Sequence, residues 1–204
     1  MLCLISVVVV GSGRSFAKKL AAEGYEVTAV ARTESRLKEL MDELSEGKHR
    51  YIVADLSDPK GQAKVINEMQ KHRYHLLINN AGFGAYGPFS HTELERLQEM
   101  MRLNCDAIAC LAHAFLRQAE SGDALVNVSS ALAFLPLPNL GLYSATKAFV
   151  TSFSESLWFE NLEKGIYVMG LCPGATETEF STNSGRGEPP PGIVTGKQIG
   201  RAHV

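Results

Sequence analysis

The sequence predicts an α/β domain: a doubly wound parallel sheet with helices on both faces. Three observations carry this. Strand-like and helix-like stretches alternate along most of the 204 residues, the pattern of a parallel sheet with helical crossovers. The strand-like stretches are near-continuous apolar runs, such as HLLIN at 75–79, as expected where both sheet faces are covered. The strand-to-helix junctions are rich in Gly, Ser and Asn, and in such sheets ligands bind at the carboxyl ends of the strands.

The elements follow in order. Residues 2–10 read as a strand, because β-branched residues dominate the run ending in VVVV. Phe16, Ala17, Leu20 and Ala21 recur at helical spacing within 14–23, and Gly24 ends that helix. YEVTAVA (25–31) is a strand. Residues 34–46 carry Leu37, Leu40, Met41 and Leu44 on one face and charge on the other. YIVA (51–54) is a strand, and 59–72 a helix with Pro59 in its first turn. HLLIN (75–79) is a strand, 92–119 is helical in two pieces, and ALVNVS (124–129) is a strand. A long helix at 143–163 leads to a last strand, IYVMGLC (166–172); from 181 the chain reads as loop.

Composition narrows the function. A formal net charge of −2 argues against a generally basic binder of nucleic acid. The four cysteines form no C-x-x-C pair, and all have apolar neighbours, as expected of reduced core thiols in a cytoplasmic protein. The histidines show no ligand spacing, so no metal is assigned. MLCLISVVVV lacks a basic n-region and a cleavage site, and it is too short to span a bilayer.

The junctions carry the candidate chemistry. Gly11-Ser12-Gly13-Arg14 closes the first strand; glycines there let the backbone approach a pyrophosphate, and the helix N-terminus supplies N–H donors. Taken alone, G-x-G is weak evidence, and a plain glycine loop is the commoner reading. Arg32 follows the second strand, where an NAD-selective fold places an acid for the ribose 2′-hydroxyl; an arginine can instead pair with a 2′-phosphate, or stand as a solvated surface group. Asp55 could accept from an adenine amino group or cap the following turn. In Asn79-Asn80-Ala81-Gly82 small residues allow a cofactor to lie on the backbone, and the Asn amides can lock neighbouring strands; a plain turn is the alternative.

The fifth junction decides. Ser129-Ser130 close a strand, and YSATK follows with Tyr143 and Lys147 one helical turn apart. A nearby ammonium stabilises phenolate, so Lys147 is expected to lower the Tyr143 pKa and fit it for proton exchange with a substrate oxygen. Tyr-x-x-x-Lys alone arises by chance roughly 0.3 times in a chain of this composition. Its place after a strand ending in Ser-Ser makes it informative.

NNAG (79–82), Asn104 in a helix, NVSS (127–130), YSATK (143–147) and PGATET (173–178), in this order and spacing, resemble the short-chain dehydrogenase/reductases of the shorter, single-domain type, and most of all generic bacterial-type reductases. The resemblance runs from residue 4 to about 180 and divides the chain into a Rossmann-like catalytic domain (1–180) and an incomplete substrate-loop region (181–204). It implies hydride transfer between a nicotinamide cofactor and a carbonyl/alcohol pair. Tyr143 would be the general acid/base, Lys147 would hold the nicotinamide ribose, and Ser130 would donate to the substrate oxygen. Asn104 would hold a proton-relaying water, Thr178 the carboxamide, Asp55 the adenine, and Asn80 with Ala81 and Gly82 the adenosine ribose region. Pro173 and Gly174 belong to the same cofactor-binding segment. The missing acid at the second strand, with Arg32 and Arg14, resembles the NADP-preferring members, so NADPH is expected ahead of NAD. A homo-oligomer, dimer or tetramer, is implied for the full-length form.

Two departures stand out. The family loop reads T-G-x-x-x-G-x-G; Gly11 and Gly13 match its last glycines, and either Ser6 matches its Thr with valines filling the rest, or the valines are strand and the first half of the loop is deleted; both are expected to weaken cofactor binding. The family's seventh strand and last helix are expected to be missing, and QIGRAHV resembles a translated sequencing adapter, so Ile199–Val204 are expected to be a non-biological scar on a truncated reading frame. A non-catalytic nucleotide-binding module, or an inactive fragment of a reductase, is the alternative; a sugar-nucleotide epimerase shares Tyr-x-x-x-Lys but not NNAG and PGATET. The apolar FGAYGPF (83–89) and ALAFLPLP (131–138) are expected to line the pocket of an apolar carbonyl substrate.

Overall fold

A computed structural model describes residues 1–6, 12–135 and 137–174. The opening valines, Gly11, Thr178 and the tail therefore lie outside the described residues. The six strands are β1 (Leu2–Ser6), β2 (Glu26–Ala31), β3 (Arg50–Val53), β4 (Leu76–Asn79), β5 (Ala124–Val128) and β6 (Tyr167–Leu171). They form one sheet in the order β3-β2-β1-β4-β5-β6, and every pairing is parallel. The chain winds outward from β1 to β3, crosses back, and winds the other way from β4 to β6. The reversal between β1 and β4 leaves a crevice at the carboxyl ends of these strands, the ordinary ligand position in such a sheet.

The helices are α1 (Ser12–Ala22), α2 (Glu34–Glu43), α3 (Pro59–Lys71), α4 (Leu94–Met101), α5 (Ala107–Leu116) and α6 (Gly141–Asn161). Strand side chains alternate between two cores. Cys3, Ile5, Val27 and Ala29 pack with α1 and α2, whereas Leu4, Val30, Leu77 and Leu125 pack with α3, α4, α5 and α6. Helix ends follow local chemistry. Gly24 takes φ +85° after α1, as a left-handed helix terminator. Asp58 caps α3, its side chain accepting from Lys60 N, with Pro59 beginning the helix.

Several boundaries differ from the sequence expectation. Helix α1 begins at Ser12 and α6 at Gly141, each two residues early, because a helix can start on glycine or serine before its apolar period becomes visible. The helical stretch before β5 is broken not by a loop but by a π-helical turn at Arg102–Asp106. The cysteines are not all core thiols: Cys3 is buried, Cys105 and Cys172 are half-buried, and Cys110 is exposed. An apolar sequence neighbourhood on an amphipathic helix does not say which face a given residue takes.

Candidate functional site

The crevice is assembled around Ser6, the last residue of β1. Its buried hydroxyl accepts from the backbone N–H of Asn80 (3.0 Å) and of Ala81 (3.1 Å), and donates to Ile78 O at 3.4 Å. One hydroxyl thus ties the segment after β4 to the end of β1. Ser12, at the start of α1, donates to Asn80 Oδ1 at 2.8 Å. Behind this segment the expected amide lock is present: Asn79 Nδ2 donates to Asn127 Oδ1 (2.9 Å), and Asn127 Nδ2 donates to Ser154 on α6 (3.0 Å). This row crosses from β4 through β5 to α6, and fixes the helix that carries Tyr143 and Lys147 to the sheet.

Asn104 sits in the π-helical turn and is fully buried. Its side chain accepts from Phe83 N (3.2 Å), and donates to Phe83 O (3.0 Å) and to Thr146 Oγ1 (3.1 Å). It therefore clamps the end of the NNAG segment to α6. Gly82 is required here by close approach: a Cβ would lie 2.9 Å from Asn104 Oδ1 and 3.4 Å from Lys147 Nζ.

Tyr143 and Lys147 share the buried face of α6, with the Lys147 Nζ 5.8 Å from the centre of the Tyr143 ring. The ammonium donates to Val128 O at 2.9 Å. An ammonium has three donors; this is the hydrogen bond that the described residues provide. Burial holds the Lys147 pKa down at about 8, with the Cys105 and Cys172 thiols pulling weakly upward. Burial likewise pushes Tyr143 up to about 12, against a hydrogen bond with Ser130 that acts downward. The direction is opposite to the one expected from the Tyr-Lys spacing. Desolvation of the phenolate dominates, and the Lys147 ammonium is turned to a backbone carbonyl. Ser130 also accepts from Leu132 N (3.2 Å), capping a short 3-10 turn. Neighbouring Ser129 donates to Lys147 O at 2.8 Å, and Pro173 O accepts from Ala131 N at 2.9 Å. Gly174 is exposed beside it.

The arginines offered for phosphate are each engaged. Arg14 makes a two-pronged ion pair with Glu43 at the end of α2, through Nε and Nη2. Arg32 donates to Glu99 Oε1 at 3.0 Å and lies 3.8 Å from Asp55 Oδ2. Asp55 takes the capping role: its Oδ1 accepts from Ser57 N (2.8 Å) and Ser57 Oγ (2.7 Å). Glu99 on α4 cannot be picked out from sequence, because a glutamate in a helix gives no sign of a partner 67 residues away.

Beside α6 lies a cavity of about 440 Å³. Ala85, Pro88 and Phe89 from one apolar stretch, and Leu137 and Pro138 from the other, contribute to its wall; among the described residues the lining contains no ionisable side chain. Tyr143 and Ser130 do not themselves line it. Among the described residues no helix is long and apolar enough to cross a membrane, and no group of metal-ligating side chains occurs.

The family model for short chain dehydrogenase matches residues 4–189. The chain belongs to the short-chain dehydrogenase family. Sulfoacetaldehyde reductase 2 of Chromohalobacter salexigens is 33% identical over 178 residues, which cover 84% of this chain and 71% of that one. Among solved structures, the short-chain dehydrogenase from Sphingobium yanoikuyae in complex with NADPH is 32% identical with a TM-score of 0.84, covering 90% of this chain and 74% of that one. The bulky-bulky ketone specific alcohol dehydrogenase from Comamonas testosteroni is 32% identical with a TM-score of 0.80, covering 86% and 72%. The chain spans 54% to 58% of the length of several other curated relatives. Short-chain dehydrogenase membership and the six-stranded doubly wound sheet agree with the reading of NNAG, NVSS and YSATK.

Proposed function

We propose that the protein is an NADP(H)-dependent oxidoreductase that interconverts a carbonyl and an alcohol. The observation that carries this is a trio: Tyr143 and Lys147, both buried and one turn apart on the same helix, with Tyr143 hydrogen-bonded to the half-buried Ser130. A nicotinamide cofactor fits the residues present. The switch-point crevice is floored by the small-residue segment that Ser6 holds, and Lys147 is a buried cation with donors beyond the one Val128 O accepts. Asn80, Ala81, Gly82, Lys147 and Arg32 would hold the cofactor, with Pro173 and Gly174 at the nicotinamide end. When bound, it supplies or accepts the hydride.

The chain's own residues handle the proton. Ser130 donates to the substrate oxygen and orients it. Tyr143 gives its phenolic proton to that oxygen in reduction and takes one back in oxidation. Burial, which pushes Tyr143 up to about 12, keeps the phenol in its neutral form at neutral pH. Lys147 lowers the cost of the phenolate that results, the more so once its ammonium is turned away from Val128 O. Asn104 holds the Phe83 backbone and Thr146 in place, and so fixes the distance between the NNAG segment and α6.

The substrate class is an uncharged, apolar ketone or aldehyde. Among the described residues, the cavity wall beside α6 carries no cation to meet a sulfonate such as that of sulfoacetaldehyde. The name of the Comamonas testosteroni enzyme points to bulky ketones, which suits such a wall. The test is a fluorescence titration of the full chain with NADPH and NADH, followed by NADPH oxidation with a panel of apolar and charged carbonyls. NADPH binding ahead of NADH, and turnover that Tyr143→Phe abolishes while binding persists, is the expected result. Turnover surviving in Tyr143→Phe would remove the assigned acid/base.

A further inference from the structure

Glu99 occupies the arginine that a 2′-phosphate would need. Its Oε1 accepts from Arg32 Nη1 at 3.0 Å, and its Oε2 accepts from Arg96 Nη1 at 3.2 Å. The Arg96 guanidinium in turn lies over the Phe83 ring, 3.9 Å from its centre. A carboxylate therefore stands at the end of β2, supplied from α4 rather than from the strand itself. Asp55 adds a second, longer contact of 3.8 Å to the same Arg32 nitrogen.

We infer that Glu99 is a specificity-determining residue that weakens the preference for a 2′-phosphorylated cofactor, by competing with the 2′-phosphate for Arg32. This rests on the reading of the crevice as a nicotinamide-cofactor site. Two charge arguments support it. A phosphate that pairs with Arg32 must displace Glu99 from it or share it, and the two anions then repel at close range. Displacement is feasible because Arg96 keeps the other carboxylate oxygen, so Glu99 is not left without a cation. A cofactor with a free 2′-hydroxyl meets no such competition, and a carboxylate is the group that a ribose 2′-hydroxyl prefers as acceptor. Arg32 and Glu99 together thus make a site that tolerates both cofactors, and Glu99 sets the balance. Glu99 is about a quarter exposed and Arg32 more than half, so solvent and salt screen the effect to a moderate size.

The experiment is a fluorescence titration of wild type, Glu99→Gln and Glu95→Gln with NADPH and with NADH at low ionic strength. Glutamine keeps the shape and one acceptor but not the charge. Glu95 is an exposed glutamate one turn before Glu99 on the same helix, so its variant makes the same change in net charge while leaving the Glu99 carboxylate on Arg32. The ratio of the NADH Kd to the NADPH Kd is expected to rise about five-fold in Glu99→Gln, and to stay at the wild-type value in Glu95→Gln. A ratio unchanged in Glu99→Gln, or raised equally in both variants, overturns the inference and leaves the proposed function standing. Failure of the wild type to bind either cofactor overturns the proposed function and this inference with it.

Discussion

Replacing Lys147 with Met should stabilise the fold while destroying the site. Burial holds the Lys147 ammonium at about 8, against 10.5 for the free side chain. At 1.36 kcal/mol per pH unit, the folded protein carries a cost of about 3 kcal/mol at neutral pH for keeping this group charged. Methionine has a similar length and no charge to desolvate. It loses the hydrogen bond to Val128 O, worth about 1 kcal/mol. The net expectation is a gain of about 2 kcal/mol at pH 7.

The pH dependence separates this from a generic packing effect. The folded pKa lies below the unfolded one, so between pH 8 and 10.5 the unfolded wild type binds more protons. Wild-type stability therefore gains up to about 1.4 kcal/mol per pH unit across that window from this residue, and nothing from it below pH 8. Burial raises Tyr143 and Cys105, and both act in the opposite sense at high pH, but they are common to the two proteins and largely cancel in the difference. Urea unfolding of wild type and Lys147→Met should show the variant's advantage constant from pH 6 to 7.5 and shrinking at pH 8.5 and 9.5. A difference flat across this range, or a variant less stable at pH 7, would refute the idea that Lys147 is held charged against its surroundings.

Two further outcomes test the scaffold. Ser6→Ala strips the acceptor from the buried N–H of Asn80 and the half-buried N–H of Ala81, and should cost about 2 kcal/mol in urea unfolding; Ser6→Thr, which restores the hydroxyl, should recover most of it. Gly61→Ala should cost about 2 to 3 kcal/mol in the same measurement, because its Cβ would overlap the Asp55 backbone carbonyl and force the first turn of α3 away from the end of β3.

The sheet and the Tyr143/Lys147 face were readable from sequence because they rest on local period and spacing. The apolar runs set the strands, and a four-residue interval sets a shared helix face wherever the helix begins. That an Asn amide of the NNAG segment locks neighbouring strands could be read as well, but its partner Asn127 follows from the strand register, which belongs to the folded sheet. Three features could not be read. The upward pKa of Tyr143 depends on how completely α6 is buried, and burial belongs to the packed whole rather than to YSATK. The π-helical turn that aims Asn104 has no sequence period of its own. The partners of the arginines depend on which helices the topology brings alongside. Arg14 and Arg32 could be recognised as cations suited to a phosphate, but the glutamates that meet them come from α2 and α4. A candidate phosphate site read from a basic residue alone is therefore half described. The competing anion sets how tightly phosphate is held, and at Arg32 that anion is Glu99, which nothing in the sequence around Arg32 announces.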